Sequence, residues 1–256
     1  MHDFTQGVRF GDINYGIHTR NMGFILERDD IQFPQTSSPA DNLTGYGNIN
    51  AQDFNVVPDY THRILTFEFG RKIDRRYPSI ISNLTEIIHG RRMKVVRDCE
   101  ADKFYIGRCE VTEWRRELTI GHIVVKVDAE PYAYGTELKS QTMSGTSMMV
   151  NRQVATLGYA PCIVTITPKN STSQLVLTGL ARDKVGNDLP ITINNLSVGK
   201  PVIIDGYERK ITEGSSTNKF ADCTMWAFPT LKYGLNAITA SNSNCTIKVD
   251  WREIYI

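Results

Sequence analysis

A length of 256 residues allows one large domain or two of medium size, and a hydrophobic content of 41% is enough to build their cores. Charged residues make up 22% of the chain, and the formal net charge is only +1. This composition excludes disorder as the main state. It also lacks the basic excess with which nucleic-acid-binding proteins hold phosphates, so we expect no nucleic-acid partner.

The first six residues contain no basic segment followed by an apolar run, so we expect no secretory signal and synthesis in a cytoplasm. No stretch approaches the roughly 18 apolar residues of a membrane-spanning helix. The longest apolar run, residues 121–127, is short and β-branched, which is typical of a strand. We therefore expect no membrane partner.

The cysteines form no CxxC pair and no metal-ligand spacing, and their number is odd. They are Cys99, Cys109, Cys162, Cys223 and Cys245. This pattern indicates reduced, mostly buried thiols rather than a disulfide framework. Cys109 and Cys162 lie in strand-like segments, where they are expected to act as small hydrophobic residues.

The chain up to residue 70 has the pattern of short strands. Residues 8–14 and 24–28 are strand-like, and residues 31–34 end in a proline that marks a sheet edge or exit. The polar residues 35–53 predict a long loop with one hairpin. In residues 63–70, Leu65, Phe67 and Phe69 alternate with polar residues, which predicts a strand with one apolar face.

One segment has the period of a helix instead. Its apolar residues form a single stripe at 3.6 residues per turn: Ile80, Ile81, Leu84, Ile87 and Ile88. Pro78 suits the first turn and Gly90 the C-terminal cap. The pattern predicts one α-helix near residues 78–89.

The segments after this helix return to the strand pattern. Residues 93–96 and 104–111 predict a hairpin with its tip at 98–103, and residues 122–127 predict a further strand. Proline, glycine and a polar stretch then indicate a domain boundary. We expect an N-terminal domain at 1–135, a linker at 136–149 and a C-terminal domain at 150–256.

The second half contains short β-branched runs separated by turn residues, at 163–167, 174–178, 189–193, 202–205 and 245–251. Such spacing predicts an antiparallel β-sandwich. The fold class expected for the whole chain is therefore mainly β, with two domains and one helix in the first.

No combination of residues predicts catalysis. The histidines form no HExxH-type arrangement, and His2, His18, His62 and His89 are interpreted as ordinary surface or capping residues. The Gly-x-Ser-x-Gly elbow and the glycine-rich phosphate loops are absent from the sequence. We assign no catalytic, cofactor-binding or metal-binding residue, expect no cofactor, and predict that the chain is not an enzyme.

Charged clusters have simpler interpretations than an active site. Residues 27–30 and 128–130 contain acidic pairs that a glycosidase could use, but solvated or hairpin charges explain them better. Residues 71–76 and Trp114-Arg115-Arg116 are interpreted as salt-bridged faces or subunit contacts, because charges of both signs occur there.

The order of several short motifs resembles the distal tail protein (Dit) family of long-tailed phages that infect Gram-positive bacteria. In the first half these are Ile13-Asn14-Tyr15-Gly16-Ile17, Ile31-Gln32-Phe33-Pro34, Tyr46-Gly47-Asn48, the strand 64–69, the helix 80–88, Tyr105-Ile106-Gly107-Arg108 and Ala129-Glu130-Pro131-Tyr132. In the second half they are the segments 158–163, 202–206, 228–238 and 246–251. Phe228-Pro229-Thr230-Leu231 with Gly234 and Asn236 looks especially like the family.

This resemblance implies a fold and a role. The N-terminal domain would be a β-sandwich with one helix that forms a hexameric ring with copies of itself. The ring would join the tail tube, made of the major tail protein, to the tail-associated tip protein. The C-terminal domain would be a galectin-like antiparallel β-sandwich that in some members anchors receptor-binding or baseplate proteins. The chain would then belong to the virion, at the distal end of the phage tail.

For the ring contacts, we expect the polar loop 35–53 and the hairpin tip 98–103, since projecting loops often carry function; mobile, solvated loops are the equal alternative. A second hypothesis is a carbohydrate-binding module that recognises a host cell-wall saccharide. Trp226 and Tyr233 would stack on the sugar, and Trp251 is either a core or a surface residue. A third is a cell-wall hydrolase, which no motif supports.

Overall fold

A computed structural model describes residues 6–11, 16–36, 40–42, 48–50, 60–156, 158–183, 185–214 and 216–256. The chain divides into two compact units. Unit 1 comprises Met1–Ser37, Tyr60–Thr136 and Ile256, and unit 2 comprises Ser38–Asp59 and Glu137–Tyr255. The predicted mainly β class is confirmed, because the described residues form antiparallel sheets with a single α-helix.

The strands before the helix are β1 (Val8–Phe10), β2 (Ile17–His18), β3 (Ile25–Ile31), β4 (Ala40–Asn42), β5 (Asn48–Asn50) and β6 (Arg63–Lys72). Helix α1 (Tyr77–Ile88) is followed by β7 (Arg92–Arg97), β8 (Lys103–Glu117), β9 (Ile120–Ala129) and β10 (Ala133–Gly135). Unit 2 continues with β11 (Lys139–Thr142), β12 (Ser147–Arg152), β13 (Ala160–Pro168), β14 (Thr172–Arg182), β15 (Asp188–Leu196), β16 (Val202–Asp205) and β17 (Lys210–Glu213). The last strands are β18 (Thr217–Asn218), β19 (Cys223–Thr224), β20 (Thr230–Leu231), β21 (Gly234–Ala240), β22 (Cys245–Trp251) and β23 (Ile254–Tyr255). Short 3-10 helices occupy Thr19–Met22, Asp98–Glu100 and Phe220–Asp222.

Unit 1 is a single antiparallel sheet that folds over its own core. The strands run in the order β2-β1-β7-β8-β9-β6-β3. The ring of Phe10 on β1 packs edge-on against Phe67 and Phe69 of β6, with centroids 6.3 and 6.5 Å apart. Arg97 on β7 also reaches Asp29 on β3, with 3.0 Å between Nε and Oδ2. Since these strands are not neighbours in the sheet, the contacts show that it closes into two layers.

Helix α1 lies where the 3.6-residue period predicts it. Tyr77, Leu84 and Ile88 are buried on one side, and Pro78 occupies the first turn. Gly90 follows the C-terminal cap with a φ of +74°, a conformation that glycine adopts without strain. Helix α1 has 12 residues, and no helix in the described ranges is long and apolar enough to cross a bilayer.

Unit 2 is an antiparallel β-sandwich. One sheet has the order β11-β22-β13-β16-β17-β18, with β20 also paired to β13, and the other has the order β12-β21-β14-β15-β19. Alternate side chains of both sheets meet in one core, which includes Val164 and Ile166 on β13, Leu175 and Leu177 on β14, and Ile247 and Val249 on β22. The β-branched runs of the sequence therefore mark the inner faces of the two sheets, as their period predicts.

The segment 136–149, which the sequence predicts as a linker, contains strands in the structure. The units divide after Thr136, and this segment contains β11 and the first half of β12. Strand β12 alternates between exposed residues and the buried Met148, Val150 and Arg152. Its buried positions include an arginine, and half of its residues face solvent. The alternation of apolar and polar residues that predicts a strand is therefore incomplete.

Several smaller predictions can be placed. Cys109, Cys162 and Cys245 are buried free thiols, whereas Cys223 is half-buried and Cys99 is exposed. Strands β4 and β5 pair with each other, as the hairpin expected in the loop 35–53 requires. Parts of two family-like motifs, Ile13-Asn14-Tyr15 and Tyr46-Gly47, lie outside the described residues.

Candidate assembly surface

Residues 112–120, at the end of the hairpin formed by β8 and β9, are exposed throughout. The two strands pair from Gly107 opposite Ala129 to Glu117 opposite Ile120, and a two-residue turn at Leu118 and Thr119 joins them. Leu118 has a φ of +49°, as such turns require. Strand β8 extends well beyond the predicted segment 104–111. We call residues 112–120 the arm.

The arm has a free backbone edge. Strand β7 pairs with β8 at residues 105–108, but from Thr112 onward β8 pairs with β9 alone within the described ranges. Thr112 forms a bulge in that pairing. An edge strand presents outward-facing N–H and C=O groups that a strand from another chain can pair with. This edge is therefore a candidate site for association with another protein.

Apolar side chains are concentrated on the same arm. The exposed fractions of Trp114, Leu118 and Ile120 are 55%, 92% and 43%. The indole N–H of Trp114 donates to the Tyr77 hydroxyl at 2.9 Å, and the two ring centroids lie 6.4 Å apart. The polar atom of the indole is thus satisfied within the unit, and its uncovered ring is available for packing against a partner.

Arg115 connects the arm to the sheet beneath it. It forms an ion pair with Glu68 of β6 and lies 3.5 Å from carboxylate oxygens of both Glu113 and Glu117. From the sequence, this cluster had two interpretations, a salt-bridged face or a subunit contact. The structure shows the salt bridges. Two of the carboxylates, Glu113 and Glu117, remain more than half exposed.

The two loops expected to make ring contacts are described unequally. At the hairpin tip, Asp98 accepts a hydrogen bond from the backbone N–H of Gly7 at 2.7 Å and pairs with His18 at 3.0 Å. Glu100 pairs with Arg97 at 2.7 Å. Hydrogen bonds and ion pairs therefore hold the tip against its own unit. Much of the loop 35–53 lies outside the described residues.

The histidines have partners typical of surface and capping residues. His62 pairs with Asp128 at 3.0 Å, and His89 caps α1 and accepts a hydrogen bond from the backbone N–H of Val111. His18 caps a 3-10 helix besides its contact with Asp98. His2 lies outside the described residues, and His122 was not singled out by the sequence.

The acidic residues that a glycosidase could in principle use, and that the sequence interprets as solvated or hairpin charges, are engaged in ion pairs. Asp29 pairs with Arg97 and Asp30 with Arg28, Glu27 pairs with His122, and Asp128 and Glu130 pair with His62 and Arg92. Each of these carboxylates has an ion-pair partner, so these contacts do not argue for a catalytic pair.

The aromatic residues of the saccharide hypothesis separate into two groups. Trp226 has an exposed fraction of 86% and Tyr233 one of 53%, whereas Trp251 is buried in the core of unit 2. Of the two positions considered for Trp251, core or surface, the structure shows the core. Two candidate residues for stacking on a sugar remain on the surface.

No family model matches the sequence, and no curated protein matches it. The fold, by contrast, matches solved structures of a phage Dit protein and of a phage baseplate. The SPP1 Dit protein (gp 19.1), a paradigm of the hub adsorption apparatus in phages that infect Gram-positive bacteria, has a TM-score of 0.70 at 11% identity. The alignment covers 98% of this chain and 99% of the SPP1 chain.

Two structures of the phage p2 baseplate in its activated conformation, with strontium and with calcium, give TM-scores of 0.53 and 0.51. Identities are 9% and 10%, and both alignments cover 96% of this chain and 97% of the other. The chain therefore has a Dit-like fold along nearly its whole length. The resemblance inferred from the order of motifs is confirmed for the fold.

Proposed function

We propose that this protein is a structural component of a phage tail tip, located at the distal end of the tail in the virion. Six copies would form a ring that joins the tail tube to the tail-tip and host-adsorption proteins. The Dit-like fold supports this role, and the observation that carries it is the arm. A free strand edge and three exposed apolar side chains on one hairpin suit association with a second copy better than solvation.

In this proposal the arm edge from Thr112 to Glu117 pairs with a neighbouring subunit, and Leu118 packs against it. The charges of both signs at Glu113, Arg115 and Arg116 would favour one register of pairing, because like charges placed opposite each other are unfavourable. Closed cyclic symmetry uses the edge of every subunit, so a ring would prevent open-ended association. The role requires no active site, which agrees with a non-enzymatic protein.

Light scattering after size exclusion, with negative-stain images of the main peak, tests the proposal. We expect a mass six times the 28.9 kDa of one chain and a particle with a central channel. Leu118→Asp places a charge in the contact and should shift the protein to monomers. Leu138→Asp is the control, since this leucine is also exposed, at 48%, and also lies outside strands.

Far-UV circular dichroism should show the same content of structure in both variants. A ring that persists in Leu118→Asp would contradict the arm contact. A wild-type protein that stays monomeric at high concentration, and also when mixed with tail-tube protein, would contradict the ring.

The second candidate is a carbohydrate-binding module, and the exposure of Trp226 and Tyr233 favours it. Purified cell-wall polysaccharide from Gram-positive bacteria should then bind the protein, and Trp226→Ala should abolish binding without unfolding it. Phe220→Ala is the control, because Phe220 is another exposed aromatic residue of unit 2, at 53%. Equal binding by wild-type protein and Trp226→Ala would contradict stacking on this residue.

A further inference from the structure

Three ionisable side chains meet on one face of the unit 1 sheet. Glu27 on β3, Glu68 on β6 and His122 on β9 each place one potential ligand atom within 4.8 Å of the other two. Within the described residues, this is the one group of three or more acidic, histidine or cysteine side chains with that spacing. No sequence pattern indicates this group, because its members are far apart in the chain and include only one histidine.

Gly70 is the reason that these groups can meet. It lies on β6 directly between Ile25 of β3 and His122 of β9. A Cβ at Gly70 would overlap the carboxylate of Glu27, so that carboxylate occupies the space of the missing side chain. A bulge in β3 between Leu26 and Arg28 falls at Glu27. Glycine and bulge together let Glu27 cross over β6 and approach Nδ1 of His122 to 2.7 Å.

The cluster is partly enclosed and rich in negative charge. The side chains of His122, Glu68 and Glu27 have exposed fractions of 11%, 19% and 33%. Glu117 adds a third carboxylate 3.7 Å from Nε2 of His122, and Arg115 is the cation that contacts Glu68. With the imidazole neutral, three carboxylates and one guanidinium give the cluster a net negative charge. The partial exposure of Glu27 and Glu117 leaves the cluster accessible to solvent.

We propose that Glu27, Glu68 and His122 bind a divalent transition-metal ion, with zinc as the best fit. The imidazole and one oxygen from each carboxylate would supply three ligands, and water a fourth. This mixed nitrogen and oxygen set suits zinc, whereas calcium and magnesium prefer oxygen ligands throughout. The site does not depend on the proposed assembly role.

Binding requires small movements of the side chains. Zinc–ligand bonds are about 2.0–2.2 Å long, so the three groups must close slightly around the ion. The hydrogen bond between His122 and Glu27 would be replaced by bonds to the metal, and Glu68 would turn away from Arg115. Arg115 would keep Glu113 and Glu117 as partners. The ion would then connect three adjacent strands.

Two other histidine–carboxylate pairs in unit 1 provide comparisons. His62 pairs with Asp128 and His18 with Asp98, both at 3.0 Å, but neither pair belongs to a group of three within the described residues. The pair of His18 also has Arg20 at 4.0 Å from Asp98. His62→Gln is therefore a matched control. It measures how much zinc binding is lost when a histidine with a single carboxylate partner is removed.

Isothermal titration of the chelator-treated full chain with Zn²⁺ alone tests the site. We expect one zinc ion per chain and a rise in melting temperature on binding. His122→Gln should weaken binding more than about 100-fold, beyond the 10–100-fold typical of residues that only support a ligand. His62→Gln should bind as the wild type does.

Three further variants keep the test independent of any one substitution. Glu68→Gln should also weaken binding more than about 100-fold, because it replaces a charged ligand and not a residue that only supports one. Gly70→Ala should also weaken it while the protein stays folded, because the methyl group displaces the mobile end of the Glu27 side chain. Arg115→Gln should strengthen binding, since it frees Glu68. Circular dichroism confirms that each variant is folded.

Four results would overturn the proposal. These are the absence of stoichiometric binding, unchanged binding in His122→Gln, equal losses in His122→Gln and His62→Gln, and tighter binding of Ca²⁺ or Mg²⁺ than of Zn²⁺.

Discussion

Tyr77 covers Gly121 so closely that a methyl group at residue 121 would overlap the Oη and Cζ atoms of the tyrosine. Tyr77 begins α1 and is buried, and Gly121 lies on β9 beside the arm. The tyrosine hydroxyl is also the acceptor for the Trp114 indole. The missing side chain at Gly121 thus allows the helix to pack on the sheet and position the arm.

Gly121→Ala should therefore destabilise unit 1 by about 1–3 kcal/mol, the usual cost of overpacking a well-filled site. Denaturant unfolding followed by circular dichroism measures the change. In a Tyr77→Leu background, where the ring is absent, adding Gly121→Ala should cost much less. Equal costs in the two backgrounds would show that the overlap with Tyr77 is not the cause.

Arg152 is fully buried in unit 2 and donates hydrogen bonds to backbone carbonyls of the adjoining loop and β20. Its guanidinium reaches the carbonyl oxygens of Gly158 at 2.7 Å and Leu231 at 3.0 Å, and Nε lies 3.8 Å from Glu253. Arg152→Met removes these donors from the carbonyls, and it removes the guanidinium near the Glu253 carboxylate, which keeps Lys139 and two backbone N–H groups as partners. We expect a loss of about 3–5 kcal/mol in the free energy of unfolding, as for other broken buried ion pairs.

Lys210→Met is the control for Arg152→Met, because Lys210 is a largely exposed cation of the same unit and pairs with Glu208. It should change the free energy of unfolding by less than about 0.5 kcal/mol. Similar effects of the two substitutions would contradict a structural role for the buried guanidinium.

Glu253 should make unit 2 sensitive to acid. Burial alone would raise its pKa, but hydrogen bonds from Lys139 at 3.0 Å and from the backbone N–H groups of Gln153 and Val154 at 3.2 Å hold the pKa below the ordinary value of 4.5. A carboxyl with a lowered pKa in the folded state stabilises it fully above that ordinary value. The contribution is lost as the pH falls from about 4.5 through the folded-state pKa.

Glu253→Gln cannot titrate, so its unfolding free energy should fall less steeply than that of the wild type below pH 4.5. Urea unfolding at a series of pH values measures both slopes. Glu208→Gln, at an exposed carboxylate of the same unit, should keep the wild-type slope. If Glu253→Gln also keeps the wild-type slope, groups other than Glu253 control the loss of stability at low pH.

The thiols should differ sharply in reactivity. Burial raises the pKa of Cys109 to about 12 and of Cys223 to about 11, and raises that of Cys162 as well. Partial burial also raises the pKa of Cys99, but Cys99 is exposed. Because thiolate and access are both needed for disulfide exchange, one thiol per native chain should react quickly with Ellman's reagent at pH 8.

Cys99→Ser should remove that fast phase, and Cys245→Ser should leave it unchanged. In denaturant, all five thiols should react at similar rates. Two or more fast thiols in the native protein would show that the buried cysteines become accessible through local opening.

The elements that the sequence predicted well are those whose pattern is local. The stripe from Ile80 to Ile88 and the alternation of Leu65, Phe67 and Phe69 depend on the period of the backbone, which does not change with tertiary context. Strand β12 escaped prediction because its buried positions include Arg152. The burial of that charge is possible because carbonyl oxygens of the adjoining loop and of the distant strand β20 surround it.

By itself, the sequence determined a mainly β chain with one helix, two β-rich halves, and an order of motifs that resembles the Dit family. The tertiary structure decided which strands pair, and so which edge is left free in the arm. It also brought Glu27, Glu68 and His122 together across Gly70. These relationships join residues up to 95 positions apart, as between Glu27 and His122. No local pattern encodes them, because they follow from the register in which the strands pair.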